Sequence, residues 1–401
     1  MSTFSVSYKE LFSRKLLLRN KLKMKLPIES ILKAENDWHA KRKLRPCGLT
    51  VHSAIGCNVG CIYCYIGDMG FSTNYVEAYG LNGEELVYAL LSNKYFLPGE
   101  TGTYLAFGSV TEPFHPIAKK KTLEYITAVS KYLKNPIQIS TKFPISKSEI
   151  KIIKTIKSSV NFLITIITLN KAKMLEPHAP SVESRLDFIS LLRKEGFKPM
   201  LFLRPLIPGV NIDEAEDLLR EAKKKGAVAA VIGGFRVTPT ILSKLKKHGL
   251  NVERILARLR GSLRERMQVP VKMADIKSEI VKLCIEIGLI PFKSACCANT
   301  YNIFLSKGIR IPCINSCWIK GNFCTQCPVN CSKIEVKFDV DELSFLAEKL
   351  LNVKVRNIEA MNGIVKVYVG GLSRSKLHKH KSDIIFLKQV YRREIEVIGC
   401  G

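Results

Sequence analysis

The residues best able to do chemistry in this sequence are cysteines, and they fall in two groups. Cys57, Cys61 and Cys64 are spaced C-x3-C-x2-C. Thiolates are soft ligands that hold iron–sulfur clusters. A cubane cluster has one more iron than this loop has thiols, so one iron is left open to a small-molecule ligand. Gly60 lets so short a loop wrap a cluster, and Tyr63 offers an aromatic face to a bound base. Two plainer readings stand beside this one. With His52 or Cys47 as fourth ligand the three thiols suit zinc; without metal they are small buried residues.

The second group is Cys296-Cys297, then Cys313, Cys317, Cys324, Cys327 and Cys331, seven thiols within 36 residues. That density implies a metal site, with Cys313, Cys317, Cys324, Cys327 and Cys331 as its candidate ligands. A four-cysteine zinc knuckle would stiffen a loop-rich segment. A second, auxiliary iron–sulfur cluster is the other reading, although the spacing departs from the ferredoxin patterns. Trp318 and Phe323 lie among these cysteines and are expected to pack the loop.

The bulk properties fit a metalloprotein. The first residues lack the apolar core of a signal peptide, and no run approaches the ~18–20 apolar residues of a membrane helix. A cytoplasmic protein without a membrane span is expected. Disulfides are rare there, so the 13 cysteines read as ligands rather than staples. Lys and Arg outnumber Asp and Glu by 63 to 35, a formal charge of +28. Such a field favours polyanions, nucleic acid above all or an anionic membrane surface; the bland alternative is a solvated cationic face. The same choice applies to the basic runs near the start and to Arg374-Ser-Lys-Leu-His-Lys-His-Lys381, Lys388 and Arg392-Arg393 near the end. The Lys-, Arg- and Ile-rich, Gln-poor composition resembles that of an archaeal-like thermophile. No Ser/His/Asp set, P-loop or dinucleotide fingerprint is present.

These groups need elements to hold them. Short apolar runs at 49–55, 104–107, 137–141, 162–169, 200–203 and 228–232 alternate with amphipathic stretches near 84–95, 120–133, 146–157, 182–195 and 212–225. Strands alternating with helices predict parallel βαβ units. The fold class is α/β: a partial (βα)6 TIM-like barrel, with a Cys-rich segment and a small α+β C-terminal appendage. An active site is expected at the carboxyl ends of the strands. The division is 1–45, a basic helical extension; 46–250, the barrel; 251–333, a helical linker and the Cys-rich segment; and 334–401, the basic tail with a strand at 364–369.

The C-x3-C-x2-C run, with an aromatic before its third cysteine and placed after the first strand, resembles the radical S-adenosylmethionine superfamily. Four further runs follow in order: Phe107-Gly-Ser-Val-Thr-Glu-Pro-Phe-His-Pro116, Ser140-Thr-Lys142, Leu175-Glu-Pro-His-Ala-Pro180 with Arg185-Leu186, and Arg204-Pro-Leu-Ile-Pro-Gly209. Together they are similar to the spore-photoproduct-lyase-like branch, also called DNA repair photolyase-like, over roughly 45–240. The resemblance implies a [4Fe-4S] cluster held by Cys57, Cys61 and Cys64, with S-adenosyl-L-methionine on the open iron and a 5′-deoxyadenosyl radical as its product. It implies a reducing partner such as a ferredoxin or flavodoxin.

Around the cofactor, Glu112 suits the methionine ammonium and Lys142 its carboxylate. Thr165, Thr168 or Asn170 suits the ribose, although packing on the strand face is the readier explanation of each, and Tyr63 suits the base. Arg204 ends an apolar strand and needs a partner. Asn211 flanks a Pro-Gly turn, and Glu176, His178 and Arg185 read as a structural ion pair and cap. In one respect the chain departs from the branch. Photoproduct lyases return a hydrogen atom from a cysteine near the second strand, and 101–120 holds none; Ser109 stands there instead. Tyr63, Tyr65 or a distant cysteine would have to serve. The expected substrate is a nucleic acid, in DNA repair or tRNA modification. A peptide, lipid or small metabolite is the alternative for a radical enzyme, and a metal-bearing nucleic-acid-binding protein the alternative without catalysis.

Overall fold

Seven parallel strands make one sheet in the computed structural model, which describes residues 2–314, 326–361, 363–372 and 377–400. They are β1 (Leu49–Val51), β2 (Leu105–Phe107), β3 (Ile137–Thr141), β4 (Val160–Thr165), β5 (Met200–Leu203), β6 (Ala229–Ile232) and β7 (Ile290–Phe292). Spatial order equals chain order, each strand pairing with the next. Helices α1 (Gly83–Ser92), α2 (Pro116–Tyr132), α3 (Lys147–Lys154), α4 (Val182–Lys194), α5 (Ala215–Lys224) and α6 (Ala274–Ile287) make the crossovers. Crossovers of one hand, repeated without a change of direction, curl a sheet toward a barrel. The result is the expected partial barrel with one strand more than six.

The extra strand is β7, with Ile290 opposite Ala229. It lies inside the segment expected to be a linker, so the barrel continues past residue 250. Pro291 cannot donate to a ladder, which suits a strand at the sheet edge. Two expected strands are shorter than their apolar runs. The run 49–55 breaks after β1, because the His52 backbone N–H donates to His39 Nε2 at 3.0 Å rather than to the sheet. Ala54–Ile55 then pairs with Glu77–Ala78 instead. The run 162–169 leaves the sheet after Thr165; the N–H groups of Leu169 and Asn170 go to the Glu214 carboxylate at 2.7 and 3.0 Å.

Side chains alternate across a strand, and the inner face of this sheet divides along its length. Toward the amino ends, polar groups meet helix α7 (Ala295–Lys307). Asn161 Nδ2 donates to Asn299 Oδ1 at 2.7 Å, Asn299 Nδ2 to Gln138 Oε1 at 3.0 Å, and Asn302 Nδ2 to Ser159 at 2.8 Å. Tyr104 and Thr300 share a hydroxyl contact of 2.8 Å. Helix α7 thus closes the floor of the barrel. Toward the carboxyl ends the same face carries Ser140, Thr165 and Phe202 and is left open.

The first and last segments brace this body. Ser2–Ser5 pairs in parallel with Ile334–Lys337, and the Tyr8 N–H donates to Glu342 Oε1 at 2.7 Å. The helix Tyr8–Lys25 lies against α1, with buried Lys15 donating to the Asn93 carbonyl. The tail is the expected small α+β unit: strands Val355–Met361, Ile364–Gly370 and Glu394–Cys400, with helices Val340–Leu351 and Lys381–Tyr391. Its Arg392 does not face solvent as part of a basic run. The guanidinium is 1% exposed and donates to Thr101 O at 2.7 Å and to the Tyr104 hydroxyl at 3.2 Å.

Candidate active site

Cys57, Cys61 and Cys64 sit on the loop that follows Ala54–Ile55, at the carboxyl end of the barrel. The loop is laced to residues 175–178. Ile62 N–H donates to Leu175 O at 3.0 Å, and His178 N–H to Val59 O at 3.1 Å. Gly60 has φ +75°, and a Cβ there would stand 2.9 Å from Pro177 Cγ. Its freedom therefore serves the close approach of this second segment as well as the bend of the loop.

The three thiols line a cavity of about 600 Å³ with Tyr63, Glu112, Lys142, Thr165 and Arg204. Tyr63, Glu112, Lys142, Thr165 and Arg204 are thus brought to one place, whereas Thr168 and Asn170 are not among the lining residues. Glu112 is no exposed loop acid: it is buried and accepts from the Thr141 hydroxyl, from Lys142 N–H at 3.0 Å and from Phe114 N–H at 3.3 Å. Burial raises its pKa, against the pull of Lys142 and these hydrogen bonds. Burial acts to lower the Lys142 ammonium, but Cys61, Glu176 and Glu112 outweigh it and the group is held cationic. Its Nζ lies 3.8 Å from Glu176 and 5.9 Å from the centre of the Tyr63 ring.

Tyr63 is tied down from behind, its hydroxyl donating to Glu176. Glu176 also receives Arg185, whose guanidinium donates in addition to Thr165 O at 3.1 Å and Pro180 O at 2.9 Å. Both charged side chains are almost wholly buried. The structural ion pair read from the sequence is therefore the brace that fixes Tyr63 and the end of β4. Other candidates point elsewhere. Thr168 donates to Glu214 at 2.7 Å, and Asn211 donates to Ile167 O and Pro205 O while accepting from Ile207 N–H.

The nearby partners for a zinc site at the triad are engaged otherwise. His52 Nε2 accepts from Arg42 Nη1 at 2.6 Å and lies 3.5 Å from Ser109 Oγ. Cys47 interacts with Cys296, which holds its thiol below the ordinary cysteine pKa. Burial first, then Arg42 and His39, lowers the His52 pKa from 6.5 to about 3. The unfolded chain therefore takes up a proton that the fold refuses. The stability this contributes is present above pH 6.5 and is lost as pH falls toward 3. Between pH 6 and 4, His52 is expected to steepen the fall in unfolding free energy by about 1.4 kcal/mol per pH unit. Urea titrations of wild type and His52→Gln across that range check the difference in slope.

Burial pushes the triad thiols up, Cys61 to about 12, with Lys142 acting against it. A cation held between them would reverse this preference, and the soft donor set suits iron. In the second group, Cys331 and Cys313 stand 3.7 Å apart at sulfur, and Cys327 lies near Cys331. Cys317 and Cys324 lie outside the described residues. Among the described residues no three His, Cys, Asp or Glu side chains converge as ligands of a single ion.

Sequence reading gave two contributors no place at the cavity. Cys47, weighed only as a zinc ligand, lines it from the segment before β1. The other is the pair Gly233-Gly234. It ends β6 at the barrel mouth, and a Cβ on Gly233 would stand 2.3 Å from Arg204 Cγ. The glycine is what lets Arg204 lie across the strand end.

The chain thus combines a parallel partial barrel with a three-thiol loop above its inner face. Residues 52–222 match the Radical SAM superfamily. The family implies a [4Fe-4S] cluster and S-adenosylmethionine. An uncharacterised protein of Methanocaldococcus jannaschii is 27% identical over 193 residues, 46% of this chain and 71% of that one. A spore photoproduct lyase mutant with bound AdoMet and dinucleoside spore photoproduct aligns at TM-score 0.47 and 15% identity, over 62% of this chain and 78% of that one. Streptococcus suis SuiB bound to S-adenosylmethionine aligns at TM-score 0.35 and 14% identity, over 51% and 46%. No described helix is long and apolar enough to cross a membrane.

Proposed function

We propose that this radical enzyme acts on a nucleic acid, and the observation that carries the reading is the charge of the cavity. Arg45, Lys142, Arg204 and Arg236 line it against one carboxylate, Glu112. Glu112 and Lys142 sit deep, beside the triad. Among the described residues Arg45, Arg204 and Arg236 have no ion-pair partner, and all three are exposed. Unpaired arginines beside a reaction cavity suit the phosphates of a strand whose base enters it.

The residues divide the work accordingly. Cys57, Cys61 and Cys64 hold the cluster. Glu112 receives the ammonium of S-adenosylmethionine, Lys142 its carboxylate, and Thr165 the ribose; the braced ring of Tyr63 forms a wall for the base. Arg204 stands at the outer end, where cofactor and substrate meet. When bound, the cluster and S-adenosylmethionine together supply a 5′-deoxyadenosyl radical that takes a hydrogen atom from the substrate. The protein's part is to orient that exchange and keep water from it. The barrel, with β7 and α7, is the catalytic body, and the segments 1–45 and 334–401 buttress it. A small reducing protein of the ferredoxin or flavodoxin kind feeds the cluster in the cytoplasm. The cysteines at 313–331 hold a second metal centre, an iron–sulfur cluster or zinc.

Binding of tRNA and of duplex DNA, measured from 50 to 300 mM salt, tests the substrate class. Affinity is expected to fall steeply with salt. Arg204→Ala and Arg236→Ala are each expected to lower the slope of log affinity against log salt by about 1. Absence of binding to both at the lowest salt would remove nucleic acid as the substrate.

A further inference from the structure

One aromatic side chain on the surface is held in a fixed orientation. Trp38 opens the one-turn helix Trp38–Lys41 and is 48% exposed. Singly exposed apolar side chains are common and call for no explanation. This one is braced. The Arg42 guanidinium carbon stands 5.1 Å from the centre of its ring. Phe71, half-buried on the segment after the triad, lies nearly parallel to it, 12° off at 6.4 Å between ring centres. Trp38 and Phe71 both meet the buried His52 ring edge-on, at 71° and 73°. His52 is fixed in turn by Arg42 at 2.6 Å. Two near-parallel rings thus rest against one buried histidine.

These rings adjoin the reaction cavity. Ser109, which lines the cavity, has its Oγ 3.5 Å from His52 Nε2. Ser72, next to Phe71, accepts the Cys57 N–H at 3.0 Å. The chain that carries Trp38 runs on to Arg45, Pro46 and Cys47, which line the cavity. On the way, Lys43 and Arg45 are exposed and, among the described residues, make no ion pair. The carboxylate beside Trp38 in the chain, Asp37, is occupied internally: it accepts from the His39 N–H at 2.7 Å and the Tyr79 hydroxyl at 2.8 Å. An aromatic face next to unpaired cations is the pattern that holds an unpaired strand, the base on the ring and the phosphates on the cations. An acidic peptide would satisfy the cations and leave the rings without a partner. A ring already fixed in place loses little freedom when a base stacks on it.

We propose that Trp38, with Phe71 beside it, is a stacking platform for an unpaired base next to the one that enters the cavity, with Lys43 and Arg45 receiving the phosphates between them. This rests on the reading that the substrate is a nucleic acid, and it narrows that substrate to a single strand or an unpaired loop. Trp38 is a positioning residue. Stacking does not discriminate between ribose and deoxyribose, so the shared chemistry is an unpaired base on its backbone, from DNA or from RNA.

The chain has two tryptophans, Trp38 and Trp318, and Trp318 lies outside the described residues. In full-length Trp318→Phe protein, tryptophan emission reads Trp38 alone. Single-stranded DNA and RNA oligonucleotides of about 12 nucleotides are titrated into it at low salt, with binding followed in parallel by anisotropy. Emission is expected to be quenched in step with binding, and the tighter-bound strand identifies the source. Trp38→Ala is expected to weaken binding about 10-fold without changing its salt dependence, and Trp38→Phe to recover most of that loss. Lys43→Ala is expected instead to lower the slope of log affinity against log salt by about 1. Binding without quenching, or unchanged affinity in Trp38→Ala, would overturn the platform and leave a nucleic-acid substrate in place. Polyglutamate, a polyanion without bases, is expected to leave the emission unchanged; quenching by it as strong as by the oligonucleotides would assign the site to an acidic peptide and overturn the proposal. Binding of neither oligonucleotide would defeat the nucleic-acid reading and the platform with it.

Discussion

Cys61→Ala is expected to reduce 5′-deoxyadenosine formation to the level of an enzyme-free control, when the reconstituted protein is given S-adenosylmethionine and a chemical reductant. Cys57→Ala and Cys64→Ala should do the same. The expectation rests on scarcity. The loop offers three thiols, and the two outside ligands weighed from the sequence, His52 and Cys47, are engaged by Arg42 and Cys296. Cys284→Ala, far from the cavity, should retain full product formation. Product from any of the three triad variants at the wild-type rate would sink the assignment of this loop.

The second large effect lies behind the site. Arg185→Ala should cost about 3–5 kcal/mol of stability, because it leaves the Glu176 carboxylate buried without its cation. Arg185 is 1% exposed and Glu176 is 2% exposed, so water cannot replace the lost partner. The variant should also loosen Tyr63 and Lys142, both of which lean on Glu176. Combining it with Glu176→Gln should recover part of the loss, since a neutral amide is less costly to bury than a charge. Urea unfolding of the four proteins in the cycle gives the coupling directly. If the double variant were less stable than Arg185→Ala alone, the pair would not be the brace described here.

Much of the site was legible because its residues announce themselves by type and spacing. The triad needs only its own three positions, and Glu112, Lys142, Thr165 and Arg204 follow from lying at strand ends. The partners of those residues were harder to see. Nothing in the run Leu175-Glu-Pro-His shows that its glutamate turns back to hold Tyr63. Strand β7 is three residues, one of them proline, and follows a helix; no alternation can develop over that length. Arg392 reads as one more cation in a basic tail until its hydroxyl and carbonyl acceptors on another segment are in view. The second cysteine group was legible only as a density of thiols: among the described residues Cys313 and Cys331 stand 3.7 Å apart, and no third ligand converges on them.

The parallel pairing of Ser2–Ser5 with Ile334–Lys337 also sets an order of manufacture. The Tyr8 amide and its Glu342 acceptor are 334 residues apart. At a synthesis rate of about 5–20 residues per second, the first strand waits on the order of tens of seconds for its mate. In that interval the strands from β1 to β6 have already left the ribosome with the triad loop among them, while α7 is still to come. The nascent barrel is open from below as well as above during this time.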